Sequence, residues 1–183
     1  MNKLKLLSLS LAVIFLYGCA SGAKFENTAY TESSGFKYDE ELKNNIGVSS
    51  VDGGEKTNPL WTSEISNEAF KEAVKLSLSN QGLLSENGEY QLKVKLLKVD
   101  QPLFGLDLKV TTNVNYVLTD TKTNKVILDD VIVAPYTATM GDAFVAIKRL
   151  RLANEGSGRN NIEGFLKKLS VLNISGSKVS LGD

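Results

Sequence analysis

Between Leu106 and Leu118 the chain reads LDLKVTTNVNYVL, and its side chains alternate in character throughout. Leu106, Leu108, Val110, Thr112, Val114, Tyr116 and Leu118 fall on one side; Asp107, Lys109, Thr111, Asn113 and Asn115 fall on the other. Successive strand residues point to opposite faces, so this pattern predicts a long strand with one dry and one wet face. A sheet that is dry on one side needs one covering layer, which restricts the chain to two-layer architectures.

The neighbouring segments supply that layer and the remaining strands. NIGVSSV (45–51) reads as a short first strand, followed by a loop carrying Gly53, Gly54 and Pro59. SNEAFKEAVKLSLSNQGLL reads as a helix. Ser66 stands at its N-cap, Glu68 near its positive end, and Gly82 beyond its C-terminus with Leu83 placed to touch Leu78. YQLKVKLLKV (90–99) alternates until Leu96-Leu97, where the slip predicts a bulge. VILDDVIVAPYTATM (126–140) returns as a strand after a polar turn, with Pro135 limiting its pairing. From Gly141 onward, Phe144, Ile147, Leu150, Asn154, Gly158, Ile162, Phe165, Leu169 and Leu172 recur at helical spacing, and Asp142 is a candidate cap. Within that stretch, EGSG (155–158) either breaks the helix or lets it lie close against the sheet, since each interior Gly costs about 1 kcal/mol relative to Ala.

The predicted order is strand, helix, three strands, helix. A right-handed crossover makes the first two strands parallel, and short turns make the last three an antiparallel meander. The expected fold is therefore α/β in the α+β sense: a two-layer sandwich with a mixed four-stranded sheet and two helices on one face. Four segments follow: a leader at 1–18, a flexible tether at 19–45, the sandwich domain at 46–174 and a tail at 175–183. A free tether of this length would reach roughly 25–30 Å. Its four aromatics, Phe25, Tyr30, Phe36 and Tyr38, leave open the alternative that it packs on the domain.

Composition narrows the chemistry. The chain has no histidine and one cysteine, Cys19. That removes imidazole bases, Ser-His and Cys-His nucleophile pairs, and His- or Cys-ligated metals; no cofactor, metal or catalytic residue is expected. Basic and acidic residues balance at 21 each, against a nucleic-acid footprint. Asp129 and Asp130 are adjacent in a strand and so point to opposite faces, which makes them a poor acid/base pair. Three groups remain as candidate contact surfaces for a partner or lipid. Lys93, Lys95 and Lys109 lie on the wet face of the sheet. Leu103 and Phe104 lie in PLFGL (102–106), which packs back under the sheet or stands exposed. Lys148, Arg149 and Arg151 (KRLR) are placed on roughly one side of the last helix. Asn154, Glu155 and Arg159 read first as structural, with Glu155 a candidate partner for Arg159.

Cys19 ends an uncharged run, LLSLSLAVIFLYG, that follows Lys3 and Lys5. The run has the size of a secretory h-region and is shorter than the roughly 20 residues of a membrane span. Leu16, Tyr17, Gly18 and Cys19 resemble the lipobox of bacterial lipoprotein precursors, in which the cysteine is acylated and becomes the first mature residue; Tyr17 departs from the small residue usual there. The alternatives are cleavage elsewhere and an uncleaved anchor. Residues 106–172, with DAFVAIKRLRLANEGSGRNNIEGFLKKL, resemble small uncharacterised proteobacterial cell-envelope lipoproteins. The element order also resembles the lipopolysaccharide-assembly lipoprotein and lipid-transport auxiliary lipoproteins. These resemblances imply a non-enzymatic accessory subunit. It would be anchored at the periplasmic side of the outer membrane, since Ala20 and Ser21 rather than Asp follow the cysteine, with the cell surface and inner membrane as alternatives. The implied partners are the membrane, an envelope protein and an anionic glycolipid. A carrier with a groove between sheet and helices is the alternative.

Overall fold

The computed structural model describes residues 21–32, 35–58 and 62–174. Its elements are α1 (Phe25–Thr28), a 3-10 turn (Glu40–Leu42), β1 (Ile46–Asp52), α2 (Asn67–Asn80), β2 (Tyr90–Asp100), β3 (Leu108–Asp120), β4 (Lys125–Ala138) and α3 (Ala146–Ser170). The four strands form one sheet in sequence order. β1 and β2 are parallel, while β2–β3 and β3–β4 are antiparallel. The helices pack on one face, giving the expected two-layer sandwich.

Local details follow the sequence. The Ser66 hydroxyl accepts from Ala69 N at 3.1 Å and caps α2. Beyond the helix, Gly82 takes φ +68° and Leu83 N donates back to Leu78 O at 2.9 Å, closing the orphan carbonyls. The register of β2 against β3 slips between Leu96 and Lys98, so Leu97 is the bulged residue and is exposed. Tyr90, Leu92, Val94 and Leu96 from β2 and Val114, Tyr116 and Leu118 from β3 are buried with Phe70, Val74 and Leu78 of α2 and Ile162, Phe165 and Leu169 of α3. Tyr116 and Phe165 stack with centroids 4.3 Å apart.

Two expectations change, and one open alternative is decided. The segment assigned to the flexible tether is docked where it is described: Ala23, Ala29, Tyr30 and Leu42 are buried in the main core, with Phe25, Phe36 and Tyr38 packed against it. Its polar composition conceals a few apolar side chains that cover the α2–α3 seam. The second change is at the ends of the last helix and of β3. Phe144 lies outside α3 and is exposed, Leu106 precedes β3 and is exposed, and Asp142 caps a turn by accepting from Thr139 N and Oγ1 at 2.7 and 2.9 Å. At EGSG the structure takes the second of the two alternatives: α3 runs unbroken for 25 residues and lies close against the sheet. The leader, Cys19 and the tail at 175–183 lie outside the described residues.

Candidate functional site

The unbroken passage of α3 through EGSG depends on what each residue meets. A Cβ on Gly156 would fall 2.4 Å from the Tyr136 ring, so only glycine allows helix and sheet to approach this closely. The Ser157 hydroxyl lies between two strands, accepting from Thr112 N at 3.0 Å and donating to Ala134 O at 2.8 Å. Asn161 donates to Thr112 O and Ile132 O at 3.1 and 2.9 Å and accepts from the Tyr116 hydroxyl at 2.9 Å. Burial pushes the Tyr116 phenol well above its ordinary value, so it remains a donor. Asn154 donates to Ser63 O at 2.6 Å and receives Gln101 Nε2 at 3.1 Å. Glu155 accepts from Lys24 N at 3.0 Å and Asn27 Nδ2 at 2.9 Å, and lies 3.5 Å from Arg151 Nε. Its partners are therefore the N-terminal segment and Arg151 rather than Arg159. Every polar side chain here ties one element to another, the structural role expected of Asn154 and Glu155.

The candidate surface residues separate. Lys93, Lys95 and Lys109 all stand on the wet face. Lys95 pairs with Asn115, six residues along β3 from Lys109, a separation of about 20 Å, so they make no single cluster. Asp129 faces the wet side and accepts from Asn115 at 2.8 Å, whereas Asp130 meets Lys168 at 2.8 Å, as opposite-face geometry requires. The KRLR group also divides. Lys148 is exposed, but Arg149 is buried and Arg151 is half-buried. At 100° per residue, positions 149 and 151 lie about 160° apart around the helix, so the single basic side expected from spacing does not exist. Arg149 donates to Ala143 O, Phe144 O and Gly105 O at 2.7, 2.8 and 3.2 Å. Arg151 donates to Ser21 Oγ at 2.5 Å.

Outward side chains from two separate loops that come together are apolar. Leu103, Phe104 and Leu106 in the β2–β3 loop and Phe144 and Val145 before α3 are exposed, and Arg149 joins the two loops. PLFGL therefore stands out instead of packing under the sheet. Phe144 was not identified as part of this surface from sequence, because the helical period continues through it. Between the loops lies a pocket of about 190 Å³ lined by Pro102, Leu103, Phe104, Leu108, Ile147 and Leu150. A second, more polar cleft of about 360 Å³ is flanked by Glu26, Glu32, Tyr136, Glu155 and Arg159. Among the described residues, no group of three or more carboxylates or thiols is placed to hold a metal ion.

No family model and no curated protein matches the sequence. The fold is shared with solved structures at low identity. Protein XCC0632 from Xanthomonas campestris, described as DUF330, is similar with a TM-score of 0.59 and 9% identity over 88% of this chain and 98% of its own. The hypothetical protein CT253 from Chlamydia trachomatis is similar with a TM-score of 0.52 and 12% identity over 72% and 99%. A minor lipoprotein from Acinetobacter baumannii reaches a TM-score of 0.47 and 10% identity over 70% and 94%. The first two likenesses describe the fold alone, and none of the three is to the lipopolysaccharide-assembly lipoprotein.

Proposed function

We propose that the chain is a lipid-anchored, non-catalytic accessory protein of the cell envelope, held at the periplasmic side of the outer membrane through Cys19. The supporting observation is the lipobox-like LYGC immediately before a segment docked on the domain: Ser63 Oγ donates to Ser21 O at 2.8 Å, and Ala23 N donates to Glu64 O at 2.9 Å. The anchor would thus hold a folded body and not the end of a free tether. Activity rests on surfaces, because the polar clusters of α3 are engaged in joining the layers. An accessory role is favoured over a carrier by the character of the cavities: the apolar pocket, about 190 Å³, is below the roughly 300–1,000 Å³ typical of ligand sites, and the larger clefts of about 360 and 530 Å³ are flanked mainly by charged and amide side chains.

Two experiments test this. Cys19→Ser should abolish acyl labelling and either release the protein from the membrane fraction or leave the precursor unprocessed; unchanged acylation would disprove the anchor. Affinity purification from detergent-solubilised envelopes, with mass spectrometry of proteins and lipids, should recover an envelope protein. Recovery of a stoichiometric lipid alone would favour the carrier, and recovery of neither would remove both readings.

A further inference from the structure

The three most exposed large apolar side chains of the described residues lie at the end of the molecule that carries Ser21. Leu103 is 97% exposed, Phe104 88% and Phe144 85%, with Leu106 and Val145 beside them in sequence. The two loops flank the same end of the sheet, since β2 ends at Asp100, β3 begins at Leu108 and β4 ends at Ala138. They are held in place by Arg149, buried and donating to carbonyls of both loops. Clustered apolar side chains held outward on ordered loops mark a contact site.

The connection to the N-terminus is direct. Gln101, which immediately precedes the first loop, donates to Ser63 O at 3.2 Å, and Ser63 donates to Ser21 O. Arg151, half a turn beyond Arg149 on α3, donates to Ser21 Oγ. Cys19 is two residues before Ser21 in sequence, and two residues of chain span at most about 7 Å. A lipid on Cys19 would bring this end of the domain against the bilayer.

We infer that the loops 102–106 and 144–145 insert their apolar side chains into the surface of the phospholipid bilayer to which Cys19 is attached. This rests on the lipid-anchor reading above. The loops would act as a second membrane attachment and fix the domain's orientation, leaving the wet face of the sheet and the opposite end of the molecule for an envelope partner. A multiply acylated cysteine anchors stably by itself; what the loops add is orientation, which a lipid on one residue does not supply. The nearby charges do not select for anionic lipid: Lys98, Lys109 and Lys148 are offset by Asp100, Asp107 and Asp142. The contact is therefore apolar and should persist on neutral lipid and in high salt.

The test supplies the anchor chemically, so that its outcome does not depend on acylation in the cell. The chain from Cys19 to Asp183, whose sole thiol is Cys19, is coupled to a maleimide lipid in phosphatidylcholine vesicles, and amide hydrogen exchange is compared with the uncoupled chain. Exchange in 102–106 and 143–145 should slow about tenfold or more, the factor expected from burying one such side chain. The hairpin turn at 121–124 should not change. Phe104→Ser/Phe144→Ser should couple equally well and lose the protection. Unchanged exchange in both loops of the coupled chain would overturn the inference, as would protection that appears without lipid on raising protein concentration, which would indicate a second copy. Failure of the Cys19→Ser experiment alone would remove the natural anchor and leave this result standing.

Discussion

Arg149 Nη2 donates to the carbonyl of Gly105 at 3.2 Å although the two residues are 44 apart in sequence, and this bond holds the β2–β3 loop to the start of α3. The same guanidinium satisfies Ala143 O and Phe144 O, so one buried side chain organises both loops. Arg149→Met keeps the apolar stem and removes the donors. Three carbonyls would then have to find water, and the expected loss is about 1–3 kcal/mol in chemical denaturation. Exchange in 102–106 and 143–145 should accelerate, whereas the hairpin at 121–124 should not. A purely global loss of stability would raise exchange everywhere and contradict the local role.

Gly156→Ala tests the close packing of α3. The new methyl would meet Tyr136 at the Cγ end of its ring, which cannot swing away without moving β4. Overpacking of this kind costs about 1–3 kcal/mol, more than the roughly 1 kcal/mol gained in helix propensity. Pairing it with Tyr136→Ala should recover part of the loss. A stabilised single variant in thermal denaturation would show that the contact yields easily.

Ser157→Ala removes the hydroxyl bridging Thr112 N and Ala134 O. Buried as it is, water has poor access to the groups it leaves, so a loss of about 1–3 kcal/mol is expected from denaturant titration. Ser157→Thr would retain the hydroxyl and should not behave as Ala does on that account.

The strand pattern was legible because period-2 alternation reports which face meets the core, and even the bulge at Leu97 left its mark as a slip in phase. The covering helices were legible from their caps and spacing. What could not be read was long-range. The aromatics of residues 21–45 hint that the segment packs, but nothing local marks Leu42 as core or chooses between docking and a tether, since the surface they cover is assembled from α2, α3 and the sheet. Arg149 carries no signal separating it from Lys148, because its burial depends on carbonyls 44 residues away. Phe144 continues the helical period of α3 by one turn without being part of the helix, so its exposure was hidden by the pattern itself.

Glu64 gives a pH-dependent prediction. Partial burial raises its carboxyl above the ordinary 4.5, opposed by hydrogen bonds from Thr62 and Gln101 and reinforced by Glu55. A raised carboxyl binds its proton more tightly in the folded state, so its contribution favours folding at low pH and is lost as pH rises through its folded value. Glu64→Gln removes this dependence and retains an oxygen able to accept from Gln101 Nε2. The variant should melt higher than the parent at pH 7, and the difference should shrink toward zero below about pH 4. A difference that grew on acidification would reverse the assigned direction.

The docked N-terminal segment yields the last prediction. If residues 21–45 were a tether, a chain beginning at Asn45 would fold as well as one beginning at Ser21. Instead, the shorter chain would expose the surface that Ala29, Tyr30 and Leu42 cover, leave Glu155 without Lys24 N and Asn27, and remove the Tyr30 amide from Ser77 Oγ, to which it donates at 2.8 Å. Burying side chains of the size of Leu contributes about 1.5–3 kcal/mol each. Losing Tyr30 and Leu42 together should therefore remove several kcal/mol from a total of about 5–15. The truncated chain should be largely unfolded or aggregated by circular dichroism and gel filtration, while Leu42→Ala in the longer chain should fold with a loss of about 2–5 kcal/mol. Equal melting of the two lengths would restore the tether. It would also detach the anchor from the loop-bearing end of the domain, because the orientation at the membrane follows from Ser21 being fixed to Ser63 and Arg151.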